Sequence, residues 1–515
     1  MSDHTLEAPP IQVPDTPPRI ARTTRRGDRA RELARRYPWI VGGAALLLFS
    51  LVVVLWARAR PGYDPYGWLV WGKLTLHFKL DTNGAPSWKP LPFLFTVPFA
   101  LFGHYQLWLW MVTSIAISLA GPIFAWRIAF RLTGADPARR YAAYAAGLFA
   151  ALFVLGMQDA VGGLTYTHYV LSAESDTMIV AICLAAIDCH LAGRHRWAFW
   201  MWWLASLGRP EVWPFAGLAG IWLWVKIPSF RRWLIVALLL LLFFWFGVPG
   251  LTSKSVFTAG NIAQNSPREI HGNKITGTIS RFREIHPTTV WIAALLTVAV
   301  AVVRRNRTIL ILAGGALLWL VIEIAFSLHG FPSVPRYMFE PAAVVAVLAG
   351  VFIGWLILEL PPLLSRLVRG LGASRISSRL AMQIGGWGTA LAVVVIAGSM
   401  FGAAHRQYRL ERADLTHERA RTREIGRLAA VVQKLGAARI LACGQPNIPI
   451  GYQSQFAWYA DVKIGELYVS QTYERKHPHP LVNMFPLSNG WTVFPSHVTA
   501  ASAARCSGLT LTYRS

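Results

Sequence analysis

Charge is scarce in this 515-residue chain: Asp, Glu, Lys and Arg make up only 15% of it, against about 25% in an ordinary soluble domain. That deficit, beside 54% hydrophobic residues and 23 Trp, excludes a single soluble domain and an unfolded chain. Cysteine is scarce as well, and four residues cannot staple a scaffold of this length. The sequence carries no Walker phosphate loop, no Cys-x-x-Cys and no His-Glu-x-x-His. ATP-driven transport and zinc hydrolysis of that pattern therefore have no support.

What is present is a series of apolar runs, several near or above the roughly 20 residues that cross a bilayer. They fit helices near 39–56, 105–126, 141–157, 172–191, 197–208, 211–226, 233–249, 288–303, 308–328, 337–358 and 384–402. The expected fold class is an all-α polytopic membrane bundle of about 11 transmembrane helices, with a small C-terminal extracytoplasmic α/β domain. Domain limits are expected at 1–38 (a Pro-rich, basic, disordered cytoplasmic tail), 39–403 (the membrane domain) and 404–515 (the outer domain).

The formal net charge of +25 raises the question of nucleic acid. Six alternating segments, 19–36, 127–140, 194–196, 226–232, 304–307 and 366–379, sum to +21. Positive charge gathered in short loops on one side marks the cytoplasmic face. The charge thus reads as topology, and no nucleic-acid partner is expected. A multi-pass plasma-membrane protein follows, with the N-terminus inside and the C-terminal domain outside. Within that domain Arg406 to Lys434 reads as a charged helix and Ala438 to Ala442 as a short buried strand. Cys443 and Cys506 lie on the side where disulfides form and are expected to pair. Cys183 and Cys189 read as packing residues.

The outward segments hold the candidate chemistry. Asp64 follows the first helix by a few residues, where a carboxylate is costly unless solvated, paired or functional. It suits a general base acting on a hydroxyl, or the cap of an interfacial helix. Tyr63, Tyr66 and Trp68 around it would make a sugar-stacking wall, or an aromatic membrane belt. Lys89 opens an apolar run as a flexible point charge for a phosphate, or as a snorkelling side chain. Glu174 and Asp176, with His168 close in sequence, begin a later helix where the dipole favours acids. Their spacing is not that of a metal site. Arg209 and Glu211 interrupt two apolar pieces as a structural pair or a support for phosphate. Arg336 can grip a phosphate with two parallel hydrogen bonds, with Tyr337 beside it and Glu340 four residues on to orient it. His271 sits in a polar outer loop suited to an acceptor, and equally to solvent.

The order and shared outward side of these pieces resemble the GT-C superfamily of membrane glycosyltransferases that use polyprenyl-phosphate sugars. The resemblance covers roughly 39–360. Tyr63-Asp64-Pro65-Tyr66 takes the place of the acidic first loop, Lys89-Pro90 of a donor-phosphate element, and Glu174-Ser175-Asp176 of an acidic helix start. Arg209-Pro210-Glu211 and Arg336-Tyr337 through Pro341 resemble elements of bacterial members. The resemblance implies Asp64 as catalytic base, and Lys89 and Arg336 as ligands of the donor phosphate. Transfer would invert the anomeric carbon and pass a sugar to a cell-envelope glycan or glycolipid. The paired Asp-Asp or Asp-Glu of many members is missing, since Pro65 follows Asp64. No cofactor and no divalent metal is therefore expected. Composition and polyprenyl logic look like an actinobacterial envelope enzyme using decaprenyl-phosphate mannose or arabinofuranose. Two other classes fit the same residues: a secondary transporter or flippase for an envelope lipid or anion, and an envelope-assembly scaffold.

Overall fold

The computed structural model describes residues 36–84, 88–134, 140–264, 266–370, 377–469 and 479–514. The expected tail at 1–38 falls almost wholly outside the described residues, as do parts of the basic segments 127–140 and 366–379. Two compact units divide inside the first helix, Met1–Leu46 and Leu47–Ser515. Among the described residues, the first holds the opening turns of the helix Pro38–Ala57.

Six helices among the described residues are long and apolar enough to cross a membrane: Pro38–Ala57, Gly103–Thr133, Pro228–Thr252, Arg307–Leu328, Pro335–Leu367 and Met382–Leu435. A seventh span arises if Lys274–Arg283 and Thr288–Val303, bent by 97°, are counted together. The protein is thus a polytopic, mostly α-helical membrane bundle. Every apolar run read from the sequence is helical, but several are short for a 30 Å hydrocarbon core. Ser175–Leu191 has 17 residues, Trp213–Lys226 has 14 and His195–Ser206 has 12. Eleven helices therefore do not make eleven full-length spans.

Small residues set the close packing of the second unit. A Cβ at Gly350 would meet the Ala150 backbone nitrogen at 2.9 Å, and one at Gly354 would meet Thr133 Cγ2 at 2.7 Å. The helices Gln106–Thr133, Arg140–Leu155 and Phe339–Gly370 enclose a core of Ala125, Ala129, Ala146, Ala150, Ala342 and Ala346.

One local reading is corrected. Ala438 to Ala442 is not a strand but lies in the helix Ala437–Cys443. Its apolar run is too short for periodicity to separate helix from strand, and Gly436, in the left-handed region at φ 81°, starts a new turn. The limit at 403/404 falls within one 58-residue helix, Ser378–Leu435. No proline interrupts that stretch, so the helix continues while its side chains change from apolar to charged. Between the first two long apolar helices lie two shorter ones, Tyr63–Leu76 and the Pro-opened Pro90–Ala100.

The C-terminal residues form a four-stranded sheet in the order β3-β4-β5-β6. Here β1 is Gln158–Asp159, β2 Leu164–Thr165, β3 Gln445–Asn447, β4 Leu481–Leu487, β5 Gly490–Ser496 and β6 Leu511–Arg514. The β3–β4 pair is parallel and the others antiparallel. Cys443 and Cys506 are joined, with Cα atoms 4.8 Å apart. Val70 and Leu74 of Tyr63–Leu76 enter the same apolar core as Phe456, Leu428 and Trp491. The sheet region is thereby anchored on the helix that carries Asp64.

Candidate active site

The helix Tyr63–Leu76 begins after Gly62, which caps it with extended backbone and no side-chain hydrogen bond. Asp64 is therefore not the cap; it stands in the first turn, where the helix dipole favours an anion. Gly62 N–H donates to the Ser172 carbonyl at 2.8 Å. A Cβ at Gly62 would run into Glu174 Oε1. A larger residue at 62 would have to displace the Glu174 carboxylate, which this contact brings beside the first turn. Ala173, at φ 55°, turns the chain just before Glu174. A non-glycine residue in that region carries strain of a kind found at functional sites.

Asp64 is half-buried and lies within electrostatic reach of Arg336, Lys89, Asp176 and Arg268. Burial pushes its carboxyl above the ordinary range, while Arg336 and Lys89 pull it back. Lys89 precedes the helix Pro90–Ala100; its Nζ donates to Ser175 Oγ at 3.0 Å and lies 5.6 Å from the centre of the Trp68 ring. Arg336 sits in a 3₁₀ turn with its Cζ 5.6 Å from the rings of both Tyr169 and Tyr337. Its Nε has no hydrogen-bond partner among the described residues. Two cationic groups from separate chain segments, Lys89 and Arg336, thus lie within electrostatic reach of a half-buried carboxylate.

Below them lies a buried ionic hub. The helix His195–Ser206 breaks before Arg209, whose backbone is extended before a 3₁₀ turn from Pro210. The Arg209 guanidinium donates to Asp176 Oδ1 and reaches Glu340 Oε1 at 3.5 Å and Glu211 Oε1 at 4.0 Å. It also lies 4.4 Å from the Tyr337 ring centre and donates to the Arg336 carbonyl at 3.3 Å. Glu340 therefore pairs with Arg209 and not with Arg336 as expected. The sequence spacing assumed one helix, but Arg336 is in the 3₁₀ turn Pro335–Met338 and Glu340 in the α-helix that follows. Glu323, the lone acid of the helix Arg307–Leu328, is buried here and was missed. A single carboxylate in an apolar run was its readable signal.

Other expected residues fall elsewhere. Tyr66 and Trp68 are 0% exposed, so they offer no free ring face for a sugar. Tyr66 packs on Tyr459 and Trp68 on Trp110. Every residue from Pro65 to Gly72 is buried, because this short helix is clamped between the bundle core and the core of the C-terminal sheet. Tyr63 is half-buried and donates to Gln453 Oε1 at 2.9 Å. His271 is exposed in a loop. His168 leaves Glu174 and Asp176 and pairs instead with Asp414 at 2.9 Å. His168, Asp414 and Glu418 place ligand atoms within 4.8 Å of one another, although Arg421 already holds Glu418 at 2.6 Å.

Beside the hub, an apolar cavity of about 640 Å³ runs from Glu340 and Trp319 past Phe215 and Trp222 to His195.

No protein-family profile matches the chain, and no curated protein matches it. Solved structures similar to it include the three that follow. The crystal structure of ArnT from Cupriavidus metallidurans in the apo state is 14% identical, with 87% of this chain and 93% of that one covered and a TM-score of 0.47. The same protein bound to undecaprenyl phosphate is 15% identical over the same shares, with a TM-score of 0.43. The archaeal oligosaccharyltransferase AglB from Archaeoglobus fulgidus, in complex with an inhibitory peptide and a dolichol-phosphate, is 13% identical, with 84% and 64% covered and a TM-score of 0.41.

Proposed function

We propose that this chain transfers a sugar from a polyprenyl-phosphate donor to a cell-envelope glycan or glycolipid at the outer face of the membrane. The observation that carries the reading is the meeting of Asp64 with Lys89 and Arg336, from three distant segments, at the end of the bundle. The donor carbon carries a phosphate as leaving group. Departure needs its growing charge balanced, and attack needs the acceptor hydroxyl deprotonated. Lys89 and Arg336 supply the first electrostatically. Asp64 supplies the second, and a carboxyl raised by burial is better matched to a base at neutral pH than an exposed one. A single displacement inverts the anomeric centre.

The hub at Arg209 holds Asp176, Glu340 and the Arg336 carbonyl in place and touches no substrate in this reading. The apolar cavity suits a hydrocarbon tail. The donor sugar is inferred to be mannose or arabinofuranose on decaprenyl phosphate, from the resemblance alone. Lys89 and Arg336 would take the place of a metal ion in neutralising the phosphate.

The test is donor-lipid binding measured beside single-turnover transfer in purified, folded protein. Asp64→Asn should lower transfer by roughly 10²–10⁴-fold and leave donor binding nearly intact. Lys89→Ala and Arg336→Ala should weaken donor binding as well. Transfer by Asp64→Asn at the wild-type rate would remove Asp64 as base and leave Glu174 and Asp176 as the next candidates. Counterflow of lipid without glycan formation would instead favour a transporter.

A further inference from the structure

The apolar cavity of about 640 Å³ has two unlike ends. Along Arg307–Leu328 its lining runs from Thr308 to Trp319, roughly 16 Å at the rise of an α-helix. That is about half of the hydrocarbon core, the depth of one leaflet. The end at Trp319 is closed. Phe215 lies between Trp202 and Trp319, with ring centres 5.6 and 5.5 Å away, and Trp319 donates its indole N–H to the Tyr337 carbonyl at 3.1 Å. Glu340, held by Arg209, borders that end, and none of Asp64, Lys89 or Arg336 lines the cavity. Its side is open instead. Leu218 and Trp222 of Trp213–Lys226, and Ile311 and Leu318 of Arg307–Leu328, line it and are exposed, so a hydrocarbon chain can enter from the bilayer between these two helices.

The other end is polar and basic. Ser175–Leu191 carries Asp176, in the hub, at its start and His190 at its opposite end. His190, His195 and Thr308 line the cavity there, and the Nδ1 atoms of the two histidines are 3.4 Å apart. The His195 ring also packs on Trp222, with ring centres 4.6 Å apart. Arg194 adjoins His195 in the chain, Arg307 adjoins Thr308, and Lys226 follows Leu223 by one helical turn; all three are exposed. The segments 189–197, 222–232 and 304–312 contain eight Lys or Arg and no Asp or Glu. The carboxylates next to them are taken up, Asp188 by Arg127 and Arg131 and Glu359 by Arg304.

We propose that this cavity binds an anionic glycerophospholipid of the cytoplasmic leaflet, with one acyl chain inside it and the phosphate at the His190–His195 end. The inference goes beyond the transferase reading and does not depend on it. Positive charge of this density assigns the basic end to the cytoplasmic side. The depth is that of one leaflet, so an acyl chain fills it and a polyprenyl tail would overrun it. Burial of the chain's methylenes supplies affinity. The rim supplies the choice of headgroup, because Lys and Arg between helices on the cytoplasmic side attract anionic lipids, and imidazole nitrogens can donate to phosphate oxygens. The tip of the acyl chain would rest against Trp319 and Pro341, next to Glu340, and so brace the ionic hub from below.

The experiment uses the full chain, delipidated in micelles and titrated with single lipids under native mass spectrometry. Phosphatidylglycerol should bind about tenfold or more tightly than phosphatidylcholine with the same acyl chains. Gly314 lines the cavity, and a Cβ there meets nothing within 4 Å, so Gly314→Phe fills space without a clash at the backbone. Ala219→Phe fills it from the other wall. Each should weaken phosphatidylglycerol binding about tenfold, in protein whose unfolding without lipid, read by Trp fluorescence, matches wild type. Arg194→Gln with Arg307→Gln changes only exposed positions and should bring phosphatidylglycerol down to the level of phosphatidylcholine. The site is overturned if the two lipids bind equally to wild type, or if the double Arg variant keeps the preference. It is overturned too if a folded filling variant binds phosphatidylglycerol as wild type does, which would mark the effect as general attraction to basic loops. Undecaprenyl phosphate displacing phosphatidylglycerol one for one would make the occupant a polyprenyl tail, and displacement by inorganic phosphate would reduce the site to its rim; either result overturns the proposal. Sugar transfer is not read in any arm, so failure of the transferase reading leaves this test unchanged.

Discussion

Replacing Arg209 by Met should be among the most damaging single changes available to this chain. The guanidinium is 3% exposed, and the carboxylates it faces are buried too: Asp176 at 1%, Glu340 at 3% and Glu211 at 7%. Methionine fills much of the volume but leaves those acids without their cation. Removing one partner of a buried ion pair typically costs about 3–5 kcal/mol, because the remaining charge stays desolvated. The Tyr337 ring contact at 4.4 Å lies within the same network, so its share does not add on top. An expected loss of about 4 kcal/mol follows from that range. Equilibrium unfolding in mixed micelles, read by Trp fluorescence, measures it. Arg209→Met combined with Asp176→Asn removes one stranded charge and should recover part of the loss, giving a coupling of about 0.5–3 kcal/mol. Arg209→Lys keeps the charge but not the planar fork and should fall between wild type and Met. A loss below about 1 kcal/mol for Arg209→Met, the size of an exposed pair, would refute the buried hub. So would a double variant no more stable than the single one.

Four further outcomes are expected. Gly62→Ala should displace the Glu174 carboxylate, which stands where the new Cβ would go; overpacking of this kind costs about 1–3 kcal/mol, and unfolding beside single-turnover transfer should show both falling. Sugar transfer should decline as pH drops through the Asp64 carboxyl, whose raised value puts that decline above the ordinary carboxylate range; a pH–rate profile of wild type with no acid limb there would count against Asp64 as base. Cys443 and Cys506 are 63 residues apart, and losing a loop of that size costs about 4 kcal/mol on chain-entropy grounds, to be read from the unfolding of Cys506→Ser with and without reductant. A reporter fused after Ser515 should be extracytoplasmic and one inserted at 366–379 cytoplasmic, and both on one side would break the proposed topology.

Hydropathy alone was enough to read the membrane class and the helical state of every apolar run, because a bilayer forces each spanning backbone to satisfy its own hydrogen bonds. The separate acidic and basic candidates were legible for the same reason: a charge beside an apolar run is expensive and stands out. Which of them meet was not legible. Arg209 and Asp176 are 33 residues apart, and Glu340 turned to Arg209 because a change of helix type at Met338 rotated it away from Arg336. Tyr66 and Trp68 looked like ring faces for a sugar, yet the C-terminal sheet and the bundle close on both sides of their helix. Local periodicity reports a residue's face, not what will cover it. The apolar cavity had no signal of its own, since Gly314 and Ala219 in apolar runs are ordinary. Only the packing of Trp213–Lys226 and Arg307–Leu328 left the space open between them, because a void is a property of the assembled chain.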